Sequence, residues 1–101
     1  TKYMLWVDSI SQHLTSIGEG EMAAEYVIKS NECINEAKKM KKDEAIKSIN
    51  TCQDDLISGI GNDLQGTPNH NKFFQRYQEL LNCGDMGVQD CQNKTKENWW
   101  N

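Results

Sequence analysis

The chain has 101 residues, a formal net charge of −4, 37% apolar residues and four cysteines. That length makes one domain with a thin core, since a chain this size buries little more than ~60% of its unfolded surface. The acidic balance argues against nucleic acid as the main partner, and no apolar run reaches the ~18 residues that insertion into a bilayer requires.

Helical periodicity runs through the chain. In residues 2 to 17, Tyr3, Trp6, Val7, Ile10, Leu14 and Ile17 fall at steps of three and four and form one apolar stripe. Gly18-Glu19-Gly20 ends that helix. A second helix, 20 to 40, carries Met22, Ala23, Tyr26, Val27, Ser30, Cys33, Ile34, Ala37 and Met40 on one side. Lys41, Lys42 and Asp43 form the bend, with Asp43 as the expected N-cap. The third helix, 44 to 58, turns Ala45, Ile46, Ile49, Cys52, Leu56 and Ile57 inward. Gly59, Gly61, Gly66 and Pro68 mark 59 to 69 as the longest loop. A fourth helix, 70 to 83, buries Phe73, Phe74, Tyr77, Leu80 and Leu81, and Gly84 stands where helices commonly end. A short polar helix is expected within 85 to 98, holding Val88 and Cys91. No segment alternates as a strand would. The expected fold is an all-α compact bundle of four to five helices, a single domain over 1–101.

Cys33 and Cys52 lie nine and ten residues from Lys42. On two helices running out and back, both sulfurs then stand roughly 14 Å from the bend, at ~1.5 Å rise per residue. That spacing suits a disulfide stapling a helical hairpin. Cys83 and Cys91 are close enough, around Gly84 and Gly87, to form a second bridge. Four cysteines allow more than one connectivity, and crossed pairings would pin the hairpin to the C-terminal segment. The favoured pairing is Cys33–Cys52 with Cys83–Cys91. Two disulfides in so small a chain imply an oxidising compartment and therefore secretion, the alternative being a reduced cytosolic protein with four buried cysteines. Thr1, with no methionine or signal-like run before it, reads as the start of a mature or trimmed chain. The sequon Asn93-Lys94-Thr95 makes Asn93 a glycosylation candidate.

Catalytic chemistry is not written in the chain. His13 has Ser11 and Ser16 near it in sequence, but no elbow presents a serine to it, and it reads as a solvated helix residue. His70, beside Pro68 and Asn69, reads as a surface or capping residue at a helix start. The cysteines lack a C-x-x-C pair and the histidines are not one helical turn apart, so no metal is expected. Asp54, Asp55 and Asp63 lack the alternation of a calcium loop. Gly59-Ile60-Gly61 follows a helix rather than a strand and lacks a downstream lysine, unlike a phosphate loop. No cofactor is implied.

Two candidate partner-binding features remain. Lys38, Lys39, Lys41, Lys42 and Lys47 place five of ten lysines within ten residues, while the rest of the chain is strongly acidic. Such a tip either only solubilises the turn or steers onto an acidic protein face or a sulfated glycan over about 10 Å at ordinary salt. Trp99 and Trp100 close the polar C-terminal region. They either fold back on the core, beside Trp6, or anchor a partner.

In its size, helical character and sparse framework of Cys33, Cys52, Cys83 and Cys91, the chain resembles the small salivary proteins of blood-feeding insects. The sand-fly salivary anticomplement family is the nearer likeness, and the anophensin/albicin family of mosquitoes is second. That resemblance implies a secreted, non-enzymatic inhibitor of host complement that binds a plasma protein, with the antibody-initiated (classical) pathway favoured. Odorant-binding proteins are the other comparison: Cys83-x7-Cys91 approaches their closing C-x8-C, while their C-x3-C is missing. They imply the alternative of a carrier for small apolar ligands. Inhibition of coagulation or contact activation through the same basic tip is a third expectation.

Overall fold

The structure, a computed structural model, describes residues 2–80 and Asp90. Among the described residues are four helices of more than one residue: α1 (Lys2–Ser16), α2 (Gly20–Ala37), α3 (Lys42–Leu64) and α4 (Pro68–Leu80). No strand occurs among the described residues. α1 packs on α2 and α2 on α3, while α4 returns to contact both α1 and α3 and closes the bundle. The expected short helix within 85–98, the Cys83–Cys91 bridge, Asn93, Trp99 and Trp100 all lie outside the described residues.

Among the described residues α1, α2 and α3 bury most of the stripe that periodicity marks, and α4 buries Phe73 and Tyr77, while the expected burial of Leu80 and Leu81 lies outside what is described. Tyr3, Trp6, Val7, Ile10 and Leu14 of α1 meet Ala23, Tyr26, Ile34 and Ala37 of α2 and Ala45, Ile49, Leu56 and Ile57 of α3 in one continuous core. Phe73 and Tyr77 complete it from α4. The turn after α1 has a specific chemistry. Gly18 is left-handed at φ 87°, and the Glu19 and Gly18 N–H groups donate to Leu14 O at 2.9 Å and Thr15 O at 3.1 Å. This double bond pattern satisfies carbonyls that a helix end leaves open, and glycine adopts the required φ without strain.

Three boundaries of α2 and α3 differ from the expectation, and α4 begins at Pro68 rather than 70. α2 ends at Ala37 rather than 40, because the chain tightens: the Lys39 N–H donates to Glu36 O at 3.1 Å and the Met40 N–H to Ala37 O at 3.0 Å. Met40 consequently leaves the apolar stripe and is 39% exposed. At the start of α3 the N-cap is Lys41, in extended conformation, and Asp43 lies inside the first turn with Glu44. Both carboxylates still favour that end, where the helix dipole is positive.

The third difference is the largest. α3 continues to Leu64 through Gly59 and Gly61, which were expected to break it. Each mid-helix glycine costs about 1 kcal/mol. Continuing the helix fully buries Ile60 and Leu64, and each such side chain returns about 1.5–3 kcal/mol. Burial therefore wins. Gly59 also has a positive reason to be glycine: a β-carbon there would stand 2.5 Å from Tyr26 Oη. The real break is Gly66 at φ 79°, and Pro68 opens α4 at the first helical position, where its missing N–H is no loss.

Candidate functional site

The α2–α3 hairpin is stapled as its spacing indicated. Cys33 and Cys52 are bonded, with their α-carbons 6.5 Å apart. Above the staple, Ile34, Ala37, Ala45 and Ile49 are buried between the helices and the rest of the core. Beyond them the bend carries Lys38, Lys39, Lys41 and Lys42, all exposed, with Lys47 exposed on α3. Lys39 Nζ meets Glu36 at 3.2 Å, but both side chains lie largely in solvent. Such a pair holds about 0–1 kcal/mol. Lys38, Lys41, Lys42 and Lys47 form no ion pair among the described residues.

The placement of these charges is informative. Lys38 and Lys39 follow the end of α2, where a cation meets the negative end of the helix dipole. Lys41 and Lys42 occupy the N-cap and first position of α3, where a cation is unfavourable and a side-chain oxygen is preferred. Lys41 makes no side-chain cap bond. Local helix stability therefore does not account for these two lysines, and Asp43 and Glu44 only offset them.

The histidines do not form a site. His13 is half-buried rather than solvated: its ring stacks on Phe73, centroids 5.3 Å apart, and Nε2–H donates to Phe73 O at 3.2 Å. Nδ1 faces Ser16 Oγ at 3.5 Å, and that hydroxyl donates its proton to His13 O at 2.7 Å. His13 is thus a pin between α1 and α4. His70 is also half-buried, tilted against Phe74 at 4.8 Å. Among the described residues no group of histidine, cysteine, aspartate and glutamate is placed to hold a metal ion, and no helix is long and apolar enough to cross a membrane.

Recesses open on the surface of the described residues. A groove of about 740 Å³ between α3 and α4 is largely polar, with Asp54, Asn62, Gln65 and His70 around Ile57 and Phe74. A cleft of about 270 Å³ lies beside the staple, between Lys29 of α2 and Asp55 of α3, with Tyr3 and Leu56 also lining it.

The chain matches no family model, no curated protein and no solved structure.

Of the buried polar groups among the described residues, periodicity places Ser30 on the apolar side of α2 but misses Gln53. Ser30 and Gln53 are almost fully enclosed and pair with the hydroxyls of Tyr3 and Tyr77 respectively. Gln53 stands in register with Ile49, Leu56 and Ile60, so its position was readable, although its polarity hid it. The Tyr26 hydroxyl donates to Asp63 Oδ2 at 2.9 Å, tying α2 to the end of α3.

All three tyrosines hold their protons above the ordinary range. Burial is the main cause for each. The Asp63 carboxylate adds to it at Tyr26, Asp55 at Tyr3 and Asp54 at Tyr77. In each case the folded chain keeps a proton that the unfolded chain loses at about pH 10. The unfolded state then binds fewer protons, so stability is intact below about pH 10 and falls as pH rises beyond it. Urea unfolding at about pH 11.5 should show lower stability than at about pH 9, with tyrosinate absorbance appearing together with unfolding. Tyrosinate forming at its ordinary pH in a still-folded chain would refute this.

Proposed function

We propose that the chain is a secreted, non-enzymatic inhibitor of host complement, whose basic α2–α3 tip occupies an acidic surface on a plasma protein of the antibody-initiated pathway. The observation that carries the binding mode is Lys41 and Lys42 at the positive end of α3, on a disulfide-stapled hairpin. Residues that work against local helix stability are expected where function retains them. The stapled bend presents them with Lys38 and Lys39 in one exposed cluster, and the acidic remainder of the chain disfavours other anionic contacts. The choice of complement rests on the likeness to insect salivary proteins in size, helical character and cysteine framework.

Purified protein added to serum haemolysis assays, one for each initiation route, tests the reading. Inhibition of the antibody-initiated route at micromolar concentration is expected, and no inhibition in any route sinks it. Replacing Lys38, Lys39, Lys41 and Lys42 by glutamine should reduce potency by about tenfold or more, as four contacts of ~0.5 kcal/mol would. The wild-type potency should also fall as salt is raised. A quadruple variant of unchanged potency would show that the lysines only solubilise the bend.

A further inference from the structure

The staple is not sealed into the core. Cys33 and Cys52 are both only half-buried, and both line the 270 Å³ cleft between α2 and α3. The bond thus faces an open space large enough for a small adduct on sulfur. The charges around it are unequal. Lys29 lies one helical turn before Cys33 and lines the same cleft. Its ammonium also lies 5.1 Å from the Tyr26 ring centroid, and its pair with Glu25 at 3.1 Å is solvent-exposed and weakly held. On the facing helix, Asp55 lies three residues after Cys52 and lines the cleft from the other side.

We propose that Cys33–Cys52 is a thiol-exchange site, at which a small thiol becomes attached to Cys52 while Cys33 is the leaving sulfur. The incoming thiolate attacks Cys52 Sγ and forms a new sulfur–sulfur bond. The Cys33–Cys52 bond breaks, and its electron pair goes to Cys33 Sγ. The resulting thiolate remains on α2, in the cleft that Lys29 also lines, and the ammonium there stabilises it. A departing Cys52 thiolate would instead stand near the Asp55 carboxylate. Asp55 is exposed, so solvent screening weakens its effect on an approaching thiolate and on a Cys52 thiolate alike, and Lys29 beside Cys33 sets the direction. Exchange rates depend on the stability of the leaving thiolate and on which sulfur is attacked, so this asymmetry selects the direction. A second thiol attacking the adduct releases Cys52 as a thiol. Two thiols then supply the two electrons of the reduction and leave as their disulfide. Where the tip binds as proposed above, the adduct also unlocks the two helices that display it.

The experiment measures the exchange alone, with no binding partner, so it can fail or succeed independently of the complement reading. The native protein is exposed to reduced glutathione near neutral pH, quenched with an alkylating agent and mapped by peptide mass, which separates this pair from Cys83 and Cys91. The expected result is glutathione mainly on Cys52 with Cys33 alkylated, at a rate insensitive to low urea. Lys29→Gln should slow the reaction about two- to fivefold, the rate equivalent of an exposed ion pair, and Lys29→Arg should restore it. Glutathione mainly on Cys33, or shared equally, overturns the assignment. An unaltered rate in Lys29→Gln also overturns it, as does a reaction that proceeds only under conditions that unfold the chain.

Discussion

Phe73→Ala is expected to lower the unfolding free energy by about 3–5 kcal/mol, close to the whole stability of a marginal domain. Phe73 is 0% exposed and sits where α4 meets the bundle. Its ring stacks on His13 of α1 at 5.3 Å and on Tyr77 at 5.8 Å, and it meets the ring of Phe74 edge-on at 5.0 Å. Removing it leaves a cavity bounded by rigid rings, which collapse poorly, and cavity size sets the cost of such truncations. Phe74→Ala should cost less, because Phe74 is only half-buried. His13→Ala should cost about 1 kcal/mol, the net value of one hydrogen bond and some stacking. Urea denaturation of the three variants tests the order. A Phe73→Ala loss below about 1 kcal/mol would mean that α4 is not held by this cluster.

The apolar stripes were legible because each helix of a thin bundle must bury one face, and only period-three-and-four spacing puts Tyr3, Ile10 and Leu14 on the same side. The hairpin staple was legible for a related reason: near-equal spans of chain on either side of Lys42 bring Cys33 and Cys52 to one level. The end of α3 was not legible. Glycine reads locally as a breaker, yet Gly59 serves a contact with Tyr26, thirty-three positions earlier in the chain. A long-range approach of that kind leaves no local trace. His13 was misread in the same way, since its partner Phe73 is sixty residues away. The caps failed more narrowly. Asp43 has the right chemistry for an N-cap, but the chain turns two residues earlier, at Lys41.

The lysine cluster itself could be read directly, as any charge run can. What only the structure adds is its register on the helix ends. A lysine at the N-cap of α3 is unfavourable where one at the end of α2 is favourable, and sequence alone cannot separate the two without the position of the turn. Moving the start of α3 from 44 to Lys42 therefore changes the meaning of two residues, from solubilising loop charges to charges held against a helix dipole.

Cys33→Ala/Cys52→Ala should destabilise the chain by about 3 kcal/mol, the chain-entropy value for closing a loop of about twenty residues. For a domain near this size that is a fall in Tm of roughly 10–20 °C. The bond acts mainly on the unfolded chain, so the folded double variant should keep its helices, with Ile34, Ala37, Ala45 and Ile49 still holding α2 against α3. The tip should respond differently from the core. Its backbone bonds, such as the Ala45 N–H to Lys41 O at 2.8 Å and the Met40 N–H to Ala37 O at 3.0 Å, belong to a bend whose side chains are mostly exposed. Segments with few buried contacts open at the lowest free energy. Hydrogen exchange under native conditions should therefore accelerate more between residues 38 and 45 than along α1. Circular dichroism measures the Tm shift, and site-resolved exchange measures its distribution. A uniform acceleration across all helices would place the staple's effect on the whole bundle rather than on the display of Lys38, Lys39, Lys41 and Lys42, and the hairpin would then be a device for stability alone.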